Sequence, residues 1–197
     1  MKSALLAWLG RKPALAIILR RAVELNFRKE KAAIHRFLLP LKEGAQVLDI
    51  GSGTGEFAPL FPVLQYTGID LDPKNIAYAK RHYPHRFDVA DATALPFSPQ
   101  SFSAALIVGV LHHLSKEDAA QALQELRRVL LPGGRALIME DTHSPRFYVR
   151  FMQKIDQGAH IRSFEEWQSL IGSAFTLEEA GRFHNGLAHY SYFVCRS

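Results

Sequence analysis

Glycines at alternate positions, Gly51, Gly53 and Gly55, with Glu56 directly after them, are the residues of this 197-residue chain whose spacing speaks most clearly of chemistry. They follow the apolar run Val47-Leu48-Asp49-Ile50, so a buried strand runs straight into a glycine turn. Without side chains, such a turn leaves its backbone N–H groups open and lets a ligand approach closely. A helix expected near 55 to 61 would add a partial positive end. The spacing is G-x-G-x-G, whereas a dinucleotide fingerprint needs glycine at position 56, where this chain has Glu56. That carboxylate would repel a pyrophosphate and suits a zwitterionic or cationic ligand.

Two further carboxylates fall into register with the loop. Asp70 ends Gly68-Ile69-Asp70, nineteen residues beyond Gly51, where a carboxylate can accept hydrogen bonds from both hydroxyls of a ribose. Asp91 lies in Asp88-Val89-Ala90-Asp91-Ala92-Thr93-Ala94-Leu95-Pro96-Phe97, just past a third strand. All three positions are C-terminal strand ends, the edge at which open α/β sheets bind ligands. S-adenosylmethionine combines a ribose, an adenine and a cationic, zwitterionic end.

Other chemistry-bearing groups come later in the chain. His112-His113 follows the fourth strand, and Glu140, Asp141 and His143 follow the fifth. The latter trio is expected to face the crevice, as pocket-lining groups or one general base rather than as a metal site. His113 and His143 are the candidate bases. His160 and Arg162 precede a helix and read as solvated loop residues or a cover for an acceptor. Cys195 is expected to be packing.

The elements that would place these groups alternate between β-branched runs and helical patterns, as in a parallel sheet covered on both faces. Strands are expected at Gln46 to Ile50, Tyr66 to Asp70, His85 to Ala90, Ser103 to Val110 and Arg135 to Glu140, and a closing antiparallel strand over Tyr190 to Cys195. Helices are expected at 14 to 39, 73 to 82, 116 to 130 and 163 to 175. The first carries the stripe Leu15, Ile18, Ala22 and Leu25; Ser115 and Ser163 stand as caps of the last two. The fold class is α/β: a Rossmann-like, doubly wound, mostly parallel seven-stranded sheet with an antiparallel C-terminal strand and an N-terminal helical extension.

The length suits one domain, 43 to 197, preceded by an extension over 1 to 42. Residues 1 to 45 hold ten Lys/Arg against three Glu, a charge of +7, while the remainder is −2. One cysteine excludes an internal disulfide and favours a reducing, cytoplasmic setting. The apolar run Ser3 to Gly10 is far short of the roughly 20 residues a membrane span needs, and Arg11-Lys12-Pro13 disfavours a secretory signal. Residues 1 to 21 fit a lid over the domain better than a peripheral membrane contact, the second reading of that segment.

Taken together, VLDIGSGTG, GID, DATALPF, VGVLHHL and RVLLPGG resemble, in order and over residues 44 to 142, the class I S-adenosylmethionine-dependent methyltransferases of the small-molecule type. The resemblance implies that Asp49 and the loop of Gly51, Ser52, Gly53 and Gly55 hold the methionine moiety and Asp70 the ribose. It implies that Leu71 packs on adenine, that Asp91 and Ala92 read the adenine edge, and that Val108 and Gly109 lie near the sulfonium. Ser103 departs from the Asp usual at that position. The expected activity is methyl transfer from S-adenosylmethionine, leaving S-adenosylhomocysteine, to a small-molecule acceptor of lipid-like or aromatic kind. Nucleic acid is disfavoured because no N/D-P-P-Y/F segment and no Pro-Cys nucleophile is present. A non-catalytic cofactor-binding protein and, behind it, a nicotinamide-dependent oxidoreductase are the alternatives.

Overall fold

The structure, a computed structural model, describes residues 25–143, 160–186 and 188–197. Its strands are β1 (Val47–Ile50), β2 (Tyr66–Asp70), β3 (Arg86–Val89), β4 (Phe102–Val108), β5 (Leu130–Asp141), β6 (Thr176–Asn185) and β7 (Ala188–Arg196). They form one sheet in the order β3-β2-β1-β4-β5-β7-β6. Neighbours from β3 through β5 pair in parallel, and β7 runs antiparallel to both β5 and β6. The expected fold class is the observed one. Because β2 and β4 flank β1 on opposite sides, the sheet order reverses at β1, and the C-terminal ends of β1 and β4 are the switch point beside which open α/β sheets bind ligands.

Helices α1 (Arg28–Phe37), α2 (Pro73–His82), α3 (Lys116–Val129) and α4 (Phe164–Gly172) pack around the sheet. Their starts are written locally. Asp72 caps α2 ahead of Pro73, Ser115 accepts from the Asp118 amide, and Ser163 with Glu166 closes a capping box on α4. One core joins Leu48, Ile50 and Ile107 to α3 and α4; the other joins Val47, Leu106 and Phe87 to Phe27 and Ile34. The described part of the N-terminal extension is thus built into the second core.

Three expectations need correction. Residues 14–24 lie outside the described residues, and the helix expected over 14 to 39 is interrupted: Leu25, Asn26 and Phe27 take left-handed backbone angles (φ 47, 56 and 55), so α1 begins at Arg28. Leu25, expected on the apolar stripe, is exposed. The helix expected near 55 to 61 is only a 3₁₀ turn over Ala58–Leu60, since Pro59 and Pro62 remove the amide donors that would extend it. No helix dipole therefore backs the glycine loop. Finally, β6 was not among the strands drawn from the sequence. Its alternation is broken by a bulge between Leu177 and Glu179, and it carries the charges of an edge strand.

Candidate functional site

The glycine loop is shaped by its backbone. Gly51 has φ +72, and a Cβ there would stand 2.3 Å from the Val110 side chain, so the loop passes against the β4 exit with no room for alanine. Gly53 has φ +53, but a Cβ there would meet nothing within 4 Å, so its face is open. The Ser52 amide donates to the Ile69 carbonyl at 2.8 Å, and the Gly53 amide donates to Asp70 Oδ2 at 2.9 Å. Asp70 Oδ1 accepts from the Asp72 amide at 2.8 Å and from Asn75 Nδ2 at 3.3 Å. Loop and β2 end are thereby one unit.

Around that unit lie the other expected residues. Leu71 is 69% exposed, an apolar side chain held out beside Asp70. Asp91 is exposed, and its Oδ1 accepts from the Thr93 amide and hydroxyl, both at 2.8 Å. Those bonds, the amide's first, hold its carboxyl below the usual range. Ala92 is half-buried next to it. Val108 is buried at the end of β4; Gly109 follows with φ +66, its amide donating to Met139 at 2.8 Å, and the Tyr190 hydroxyl is 3.7 Å from where its Cβ would be. Asp49 is buried on the Val47 side of β1 and accepts from the Tyr66 hydroxyl at 2.6 Å. Burial pushes its carboxyl up to about 7, the Tyr66 bond opposing and the Asp70 charge adding.

The turn after β4 is fastened from two directions. Glu140 Oε1 accepts from the Val110 and Leu111 amides at 3.0 and 2.8 Å, and Oε2 from the His112 amide at 3.3 Å and against its Nδ1 at 2.8 Å. Glu140 is fully buried, so it does not line the crevice as expected; four backbone and ring contacts occupy it. Arg162 is not a solvated loop residue either. Its guanidinium donates to the carbonyls of Leu111 (3.3 Å), His160 (3.0 Å) and Leu114 (3.1 Å) and lies over Trp167, 4.6 Å from the ring centroid. The His160 amide donates to the His112 carbonyl at 3.0 Å. His112 is buried, and His113 is exposed with its ring 4.1 Å from that of His112. His143 is exposed, its amide donating to the Arg162 carbonyl at 3.3 Å. Among the described residues, no cluster of three or more His, Cys, Asp or Glu could hold a metal ion, and no helix is long and apolar enough to cross a membrane. The lid or membrane reading of residues 1 to 21 concerns a segment outside the described residues.

Sequence reasoning missed the Glu140 and Arg162 roles and the contacts of α1. The buried run Ala-Leu-Ile-Met ahead of Glu140 was the available signal, since a carboxylate ending such a strand needs donors.

Residues 48–138 match the family described as "Methyltransferase domain". The matched stretch runs from β1 into β5 and carries the glycine loop, Asp70, Asp91 and the turn after β4, so it is this part of the sheet that is similar to a methyltransferase domain. The chain is 38% identical over 103 residues to tRNA (carboxymethyluridine(34)-5-O)-methyltransferase of Arabidopsis thaliana, a stretch covering 52% of this chain and 25% of that protein. It is 32% identical over 138 residues to 2-phytyl-1,4-naphtoquinone methyltransferase of Thermosynechococcus vestitus, covering 66% and 55%. It thus spans a quarter to about half the length of these relatives. A SAM-dependent methyltransferase structure from Methanosarcina mazei superposes with a TM-score of 0.69 at 19% identity, over 83% of this chain and 96% of that one.

These relatives overturn one expectation. The exclusion of nucleic acid, and with it the restriction to a small-molecule acceptor, does not stand, because a relative 38% identical over 103 residues is named for tRNA. A missing base-stacking segment removes one way of holding a nucleobase and leaves others open.

Proposed function

We propose that this chain is a methyltransferase that holds S-adenosylmethionine across the C-terminal ends of β1, β2 and β3 and presents it to an acceptor at the Leu111–His113 turn. The observation that carries this reading is the Gly53–Asp70 hydrogen bond, which draws an open glycine face, a carboxylate and the exposed Leu71 onto one edge. These groups suit the ligand: Leu71 offers an apolar face to adenine, Asp70 Oδ2, which accepts one bond, retains a lone pair for a ribose hydroxyl, and the adenine edge is assigned to Asp91 and Ala92. When bound, the cofactor supplies an electrophilic methyl group on a sulfonium. The task of Val108, Gly109 and the clamped turn is then to align the acceptor in line and exclude water.

Removal of a proton from an acceptor is assigned to His113 or His143, both exposed on the segments after β4 and β5. A cytoplasmic setting agrees with the buried single thiol of Cys195, which burial pushes up to about 12.

The test is incubation with methyl-labelled S-adenosylmethionine, with total tRNA in one arm and an organic cell extract in the other. Label in an acceptor supports transfer, and the arm names its class. A protein that binds S-adenosylhomocysteine in calorimetry yet labels nothing in either arm is a non-catalytic cofactor-binding protein, and the proposal fails.

A further inference from the structure

Helix α1 reaches the cofactor loop with a charged side chain that the motif reading does not include. Its direction is fixed at both ends. Near its C-terminus the Phe37 carbonyl accepts from Arg135 at 3.2 Å; Arg135 lies opposite Ala104, which in turn lies opposite Val47 at the start of β1, the edge of the sheet away from the C-terminal strand ends. Its first turn therefore lies toward the ligand edge. There Lys31 Nζ stands 3.1 Å from Glu56 Oε1, and Phe27 meets Phe57 edge-on with centroids 5.6 Å apart. Glu30, one residue away, is buried against Asn185 of β6. The helix start is held over the residues that immediately follow Gly55.

Resting on the cofactor reading above, we infer that Lys31 and Glu56 form a two-charge receptor for the amino-acid end of S-adenosylmethionine, with Lys31 taking the carboxylate and Glu56 the α-ammonium. Glu56 alone beside the glycine loop would repel the ligand's carboxylate, and Lys31 alone would repel its ammonium. As a pair they match two opposite charges borne on a single carbon. Glu56 is 9% exposed and Lys31 26%, so the attraction is screened less than on an open surface, yet the ammonium remains reachable. A lysine ammonium has three donors; the Glu56 contact uses one of them. With no helix dipole behind the loop, this pair supplies the charge recognition that the glycine amides cannot.

Two probes separate a ligand contact from a structural one. S-adenosylhomocysteine carries the amino-acid end; methylthioadenosine has the same adenosine and thioether sulfur without it. In calorimetry on the full chain, Lys31→Met should weaken S-adenosylhomocysteine about tenfold or more and leave methylthioadenosine unchanged, as expected for loss of one charge-assisted contact. Glu56→Gln should show the same selectivity, and Lys31→Arg should restore most of the loss. Equal weakening of both ligands, or none, overturns the assignment. A wild-type protein that binds neither ligand overturns the cofactor reading itself, and the assignment with it.

Discussion

Glu140 and Arg162 grip one turn from its two poles: the carboxylate collects the amides of Val110, Leu111 and His112, while the guanidinium covers the carbonyls of Leu111 and Leu114. Anion at the donor end and cation at the acceptor end leave the turn's backbone polar groups satisfied at the crevice edge. Arg162 also ties β5 to the segment before α4, because Thr142 bridges it. The position of His113 thus depends on the buried Glu140 and on Arg162.

Breaking this arrangement on one side should be costly. Glu140→Gln keeps one acceptor oxygen but turns an NH₂ toward backbone donors, and the expected loss is about 2–4 kcal/mol of unfolding free energy. Arg162→Lys cannot fork to several carbonyls and should lose about 1–2 kcal/mol. Urea unfolding of both variants checks this; wild-type midpoints would sink it.

Substitutions at two neighbouring glycines should separate folding from binding. Gly51→Ala places a methyl against Val110 in a left-handed backbone and should destabilise the protein by about 2–4 kcal/mol. Gly53→Ala meets no atom, so it should lose only about 1–2 kcal/mol from backbone strain, while its methyl occupies the open face and weakens S-adenosylhomocysteine. Thermal shift and calorimetry read the two effects. If Gly53→Ala binds as wild type, the ligand does not lie over that face.

Asp70 holds the loop, and the proposed function also gives it a ligand position, so its removal should loosen the loop and weaken binding. Asp70→Ala frees the Gly53 and Asp72 amides and should weaken S-adenosylhomocysteine by a few kcal/mol at most, on the order of 2–3. Asp70→Asn keeps one acceptor oxygen and should retain part of that affinity. Unchanged affinity in calorimetry for the alanine variant removes Asp70 from the site.

Much of this was readable from local pattern. The strand-loop register of Asp49, Gly51 and Asp70, the caps Ser115 and Ser163, and the closing antiparallel strand follow from periodicity and turn chemistry acting over a few residues. What escaped depends on separations the chain does not announce. Glu140 reaches back 28 to 30 residues to its partners, Arg162 reaches 48 and 51 to two of its carbonyls, and Lys31 and Glu56 meet across 25. The helix misplaced after Gly55 has a different cause: the apolar spacing there is helical, but Pro59 and Pro62 override it.

The last expectation concerns pH. Asp49 is buried, and burial first, then the Asp70 charge, raises its carboxyl from 3.8 to about 7 against the lowering effect of the Tyr66 bond. In the unfolded chain the group ionises near its ordinary value. Between the two values the folded protein holds a proton that the unfolded chain has released, so stability falls as pH rises from about 4 to about 7. Below that window both states are protonated and the term vanishes; above it the loss is complete, on the order of 4 kcal/mol. Asp49→Asn keeps an oxygen to accept from Tyr66 and carries no charge, so it should remove this slope and be more stable than wild type above neutrality. Carboxyls held low by their partners, Glu125 and Glu166, act in both proteins and cancel in the comparison. Urea unfolding of wild type and variant at about pH 5 and about pH 8 decides it. Stability curves that stay parallel across that range would show that Asp49 does not change its protonation on folding.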